Sequence, residues 1–217
     1  MSNQDFNTFG RGGVIADQAS FDVGLRQHMI RVYNYMASGL ALSGIVAFAL
    51  FSSTELASLF FQVTPNGRVV GLNILGWVAI FAPLGLLLLT GFRAAQMSVG
   101  AVQAVYWAVT ALMGVSLSLL LFRYTGASVA RTFFVTAAAF GGLSLYGYTT
   151  KRDLSAFGKF LFMGLIAYDT QKIKEQYAEA WGSQTAEKVA IFGALSLYLD
   201  FVNLFQFLMA FMGQSRD

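Results

Sequence analysis

An all-α, polytopic bundle of transmembrane helices is the fold class this sequence predicts. Of its 217 residues, 56% are hydrophobic and only 12% are charged, about half the roughly 25% of a soluble domain. Mean hydropathy is +0.60. The apolar residues fall in uncharged runs of about the 20 residues that a helix needs to cross a hydrocarbon core. Zero Cys removes disulfides, thiolate metal sites and Cys nucleophiles, and a single His (His28) argues against a His-built zinc site or a Ser-His-Asp triad. No phosphate-cradling Gly loop and no nucleophile-plus-base arrangement occurs, so the reading is not that of an enzyme. The formal charge of +3 is small and sets orientation rather than recruiting nucleic acid.

Three regions are expected: a polar cytoplasmic segment (1–27), one transmembrane helical domain (28–213) and a short tail (214–217). The first segment has no apolar core, so no cleavable secretory peptide is expected and the first span must drive insertion. Spans are expected at residues 32–54, 69–92, 94–122, 132–150 and 189–212, most of them bounded by charges: Glu55, Arg93, Arg123, Arg131 and Lys151-Arg152-Asp153. One further apolar stretch, 160–168, is nine residues long. As a helix it reaches about 13 Å, roughly half the core, and so forms a half-span that does not cross. The sequence thus predicts five full spans and one stub. With the N-terminus in the cytoplasm, Arg11, Arg26, Arg31, Arg93, Lys151, Arg152 and Lys159 lie inside, against Arg68, Arg123 and Arg131 outside. The positive-inside bias favours that orientation, and parity then puts the C-terminus outside.

Asp200 is the strongest functional signal, a carboxyl at the centre of the last span. Such a residue costs roughly 2.5–3.5 kcal/mol on an insertion scale and marks ion or proton pathways when it is kept. Ser196, Asp200, Asn203 and Gln206 step by four, three and three, which makes one polar stripe along a helix. These are the candidate lining residues of a pathway; the plainer reading is a structural hydrogen bond between helices. Asp169 lies where the stub meets a polar helix, and its plainer reading is an N-cap or a partner of Lys172. Beside Asp200 it would form a pair of carboxyls that titrate as a unit, a pH sensor built without histidine. Arg93 is either a turn charge or a cation reaching inward to a carboxylate. Pro83 would kink its span. Gly114/Ser118 and Ala138/Gly142 fit close helix packing. His28 reads as an interfacial residue.

The segment Arg123-Tyr124-Thr125-Gly126-Ala127-Ser128-Val129-Ala130 resembles the bacterial branch of the Bax inhibitor-1 (transmembrane Bax inhibitor motif) family. So do Ser144-Leu145-Tyr146-Gly147-Tyr148-Thr149-Thr150-Lys151-Arg152-Asp153, Ala167-Tyr168-Asp169-Thr170-Gln171-Lys172 and Leu197-Tyr198-Leu199-Asp200-Phe201. The resemblance implies seven transmembrane helices in the inner membrane and a pH-sensitive calcium leak. It implies a latch of two aspartates, here Asp169 and Asp200, with an Arg that Arg93 matches loosely. No resident cofactor is expected; calcium and protons pass, with Asp169 and Asp200 as candidate calcium ligands. The expected partners are the lipid bilayer and other membrane proteins such as quality-control proteases. The chain departs from the family at one place. Ile166 runs directly into Ala167-Tyr168-Asp169 where the family has the rest of one helix, a turn and most of the next. Most of a hairpin is missing there, and its loss preserves the parity of the last span.

Three functions follow: a proton-regulated calcium leak, a non-transporting regulator that binds membrane proteins, and an intramembrane aspartyl protease. The last needs Gly-x-Gly-Asp at its second carboxylate, and the chain has Tyr198-Leu199-Asp200 instead.

Overall fold

The computed structural model describes residues 4–154, 162–181 and 185–216. Its elements run α1 (Gln4–Ser52), α2 (Thr54–Phe60), β1 (Phe61–Val63), β2 (Val69–Leu72), α3 (Ile74–Arg93), α4 (Val99–Arg123), α5 (Gly126–Thr149), α6 (Phe162–Ala180) and α7 (Ala186–Met212). Five helices are long and apolar enough to cross a membrane: Ala19–Ser52 of α1, then α3, α4, α5 and α7. α6 is not among them, in keeping with the stub expected there. Lys159 and the first two residues of that stub, 160 and 161, lie outside the described residues.

The spans differ from expectation at several edges: the first begins at Ala19, the third at Val99 and the last at Ala186, and two further differences have a visible cause. The second expected span loses its first residues to β2, because the chain around Gly67 turns too sharply for a helix. Gly67 has φ 76°, open to a residue without Cβ, and the Thr64 amide donates to the Arg68 carbonyl at 2.9 Å. The turn brings Phe61 opposite Leu72 and Gln62 opposite Gly71 in an antiparallel pair. Asn73 then starts α3: its Oδ1 accepts from the Gly76 amide at 2.9 Å, and its Nδ2 donates to the Leu59 carbonyl at 2.9 Å. The other is in the fourth span, which begins at Gly126 and carries Arg131 on an exposed face.

Apolar side chains cover the outside of this bundle. Ile74, Phe92 and Phe211 are 85%, 86% and 84% exposed, whereas α5 turns Ser128, Thr132, Thr136 and Ser144 inward. Hydrocarbon solvates that surface, and the hydroxyls satisfy one another or backbone carbonyls within the bundle. Thr136 donates to the Thr132 carbonyl at 2.8 Å.

α7 is the central helix. In its most apolar stretch 56% of residues are buried within the protein, against 22–33% for the other spans. It packs against α1, α4, α5 and α6. α1 and α4 close tightly on each other: a Cβ on Gly114 would lie 2.8 Å from the Ser43 carbonyl oxygen, and Ser118 one turn on is buried. The other small pair, Ala138/Gly142, is exposed and packs no helix, because α5 turns its Thr/Ser face inward instead. At the far end of α7, the Arg216 amide donates to the Arg123 carbonyl at 2.8 Å and the Thr125 amide to that of Gln214 at 3.0 Å. The end of α7 therefore lies beside the α4–α5 corner, the relative placement that the span parity predicts.

Candidate functional site

The amphipathic helix α6 builds the site. It buries Ile166, Ala167, Thr170, Ile173, Tyr177 and Ala180, a stripe at helical spacing. Because α6 begins at Phe162, Asp169 lies inside it and has no N-cap role, and Lys172 points outward, exposed.

The Ala167-Tyr168-Asp169-Thr170-Gln171 motif places nearly every side chain against a specific partner. Ala167 meets Gly147 of α5 so closely that a Cβ on Gly147 would lie 2.2 Å from the Ala167 carbonyl oxygen; only glycine allows that crossing. Gln171 holds the chain leaving α5, its Nε2 donating to the Arg152 carbonyl at 2.8 Å and its Oε1 accepting from the Leu154 amide at 3.1 Å. Lys174 donates to the Tyr148 carbonyl, with Nζ 5.0 Å from the centre of the Tyr148 ring.

Asp169 faces α7. Its Oδ2 accepts from Ser196 Oγ at 2.5 Å. One turn further along α7, Asp200 lies close enough to Asp169 for the two carboxyls to interact, while Asp200 Oδ2 is buried and has no hydrogen-bond partner among the described residues. The pairing expected from sequence, Asp169 with Asp200 and with Ser196 beside them, is thus present in space. The rest of the polar stripe diverges from it: Asn203 is exposed and Gln206 half-buried.

Arg93 is not part of this cluster. It ends α3, is exposed, and makes no ion pair among the described residues. α3 packs on α4 and α2, so the end of α3 stays away from the carboxyls, and the expected reach of Arg93 toward them is corrected. His28, expected as an interfacial residue, is buried against Tyr177 of α6, ring centroids 4.6 Å apart.

Two hydroxyl chains flank the carboxyl pair, and sequence reasoning missed both. Thr170 Oγ1 donates to the Ile166 carbonyl at 2.8 Å. Its one proton is then committed, so Ser144 must donate to Thr170 (3.0 Å) and Tyr33 to Ser144 (2.6 Å). On the other side of α7, Ser43 donates to the Thr110 carbonyl at 2.7 Å, so Tyr198 must donate to Ser43 at 2.6 Å. Thr170, Ser144 and Tyr198 all lie within the quoted motifs, which was the available signal; their partners on α1 carried none.

Calcium takes six to eight oxygen ligands. Asp169, Asp200 and Ser196 supply fewer, and no group of three or more His, Asp or Glu side chains converges among the described residues.

A bundle of five helices long and apolar enough to cross a membrane, packed around α7, defines a polytopic membrane protein. The family described as "inhibitor of apoptosis-promoting Bax1" matches residues 25–167 and, separately, 161–217, and the chain belongs to this Bax inhibitor-1 family. It is 44% identical to a protein of Caulobacter vibrioides described as uncharacterized, over 250 residues that cover 97% of this chain and 100% of that one. It is 36% identical to the inner membrane protein YbhL of Escherichia coli over 228 residues, covering 89% of this chain and 94% of the relative. No solved structure matches significantly. The two family matches overlap at 161–167, around the Ile166–Ala167 junction where the motifs lose a hairpin. The Caulobacter alignment is also longer than the chain itself, so that relative carries residues with no counterpart here.

Proposed function

We propose that this chain is a proton-regulated calcium leak of the inner membrane, with its N-terminus in the cytoplasm and Asp169 and Asp200 as its gate. The observation that carries the reading is the approach of Asp169, on α6, to Ser196 and Asp200, on α7. Two carboxyls in one site share a proton and titrate together. With that proton present, one carboxyl donates to the other and α6 is held on α7. When the pair ionises fully, like charges separate the two helices and leave a carboxylate-lined path for a cation. Flux should therefore rise with pH.

The test is calcium flux into dye-loaded proteoliposomes at several pH values. The expected outcome is a pH-dependent flux in this chain and a pH-independent one in Asp200→Asn, whose amide cannot ionise. An unaltered pH profile in that variant removes Asp200 from the gate.

A second reading has its own observation. The polar stripe beyond Asp200 shows Asn203 to the outside, a face suited to another membrane protein, and the chain would then act as a regulator that moves no ions. A stoichiometric membrane partner co-purifying with a chain that conducts nothing would favour it.

A further inference from the structure

A groove of about 580 Å³ runs along the outside of the bundle between α1 and α5, independent of the leak reading. Met29, Met36 and Phe140 form its buried wall, and Ile30 and Leu145 its exposed rims. Arg26 and Tyr148 stand at one end. From Arg26 to Met36 is ten residues of α1, about 15 Å, and half of a hydrocarbon core about 30 Å thick is the same distance. The groove therefore has the depth of one leaflet, apolar along its length and cationic at its mouth. The hydroxyls on its floor, Tyr33 and Ser144, already bond to each other at 2.6 Å. An occupant needs no polar group along its length, which is the chemistry of an acyl chain.

We propose that this groove holds one anionic phospholipid, its acyl chain lying along Met29, Met36 and Phe140 and its phosphate paired with the Arg26 guanidinium. Arg26 is exposed at the level where Tyr148 marks the interface, as aromatic and cationic residues do at a membrane boundary. Arg31, one turn and a half further along α1, lines a different and more polar depression with Asn34 and Tyr35, and so serves as an internal control.

The experiment reconstitutes the full chain in nanodiscs of equal phosphatidylglycerol and phosphatidylcholine and counts, by native mass spectrometry, the lipids kept after the bilayer is stripped. Phosphatidylglycerol should be retained in preference. Arg26→Gln should lower that preference about fivefold, the worth of one cation at an anionic surface, and Arg31→Gln should leave it unchanged. Gly141 lines the groove, and a Cβ there meets nothing within 4 Å; Gly141→Leu should fill the space without moving a helix and remove retention of either lipid. Equal losses in Arg26→Gln and Arg31→Gln would mean diffuse surface charge and overturn the site. Unchanged retention in Gly141→Leu, or no retained phosphatidylglycerol in the unaltered chain, would overturn it as well.

Discussion

Before Asp200, the polar stripe of α7 is covered. Ser196 donates to Asp169 of α6, and Gly193 lies against Ile173. Beyond Asp200 the same stripe continues through Asn203, Phe207, Ala210 and Phe211, all exposed. The two stretches belong to one helix and one face, and what differs is the neighbour. α6, described from Phe162 onward, packs Asp169 and Ile173 against the stretch before Asp200. In the family pattern a full helix leads into the Ala-Tyr-Asp-Thr-Gln motif. The comparison teaches that the carboxyl pair is assembled even though the two family matches meet at the Ile166–Ala167 junction.

The largest effect is expected from lifting the remaining cover. Gly147→Leu drives a side chain into the Ala167 backbone and should cost at least the roughly 1–3 kcal/mol of an overpacked contact. It should be read as lost monodisperse protein and a lowered Tm in detergent, while Gly142→Ala on the open face of α5 should match the unaltered chain. A smaller loss should follow Ser43→Ala, which leaves the buried Tyr198 hydroxyl without its acceptor. Such an orphaned group costs about 1–3 kcal/mol, measurable as a Tm shift with the fold intact. At the exposed Asn203 the sign should reverse: Asn203→Leu removes a polar side chain from a surface that faces lipid and should leave Tm equal or higher. A marked drop there would show that something covers the stripe after all. The smallest effect belongs to Arg93→Gln, which should leave the pH midpoint of flux in place, because α3 does not bring Arg93 to the carboxyls.

Much of this molecule was legible one residue at a time. The five spans stand out because each must be apolar over about 20 residues whatever its neighbours are. Asp200 stands out because a carboxyl in hydrocarbon is costly enough to need a reason. The junction at Ile166–Ala167 was visible because two motifs that belong to different helices lie side by side. The β1–β2 hairpin was not seen, since Val69-Val70-Gly71-Leu72 is as apolar as the helix that follows and only the turn at Gly67 separates them. The burial of His28 and the hydroxyl chains through Tyr33 and Ser43 were also hidden.

What the sequence by itself determined is therefore the membrane as solvent, the number of crossings, the family and the two carboxyls. These depend on the composition of single segments and on short motifs. Tertiary structure alone decided which hydroxyls pair, which polar residues meet the bilayer and which cation stays away from the carboxyl pair. Those outcomes depend on the rotation of each helix about its axis and on how far its neighbour extends, and lipid leaves both open, since hydrocarbon tails solvate an apolar face as well as another helix does.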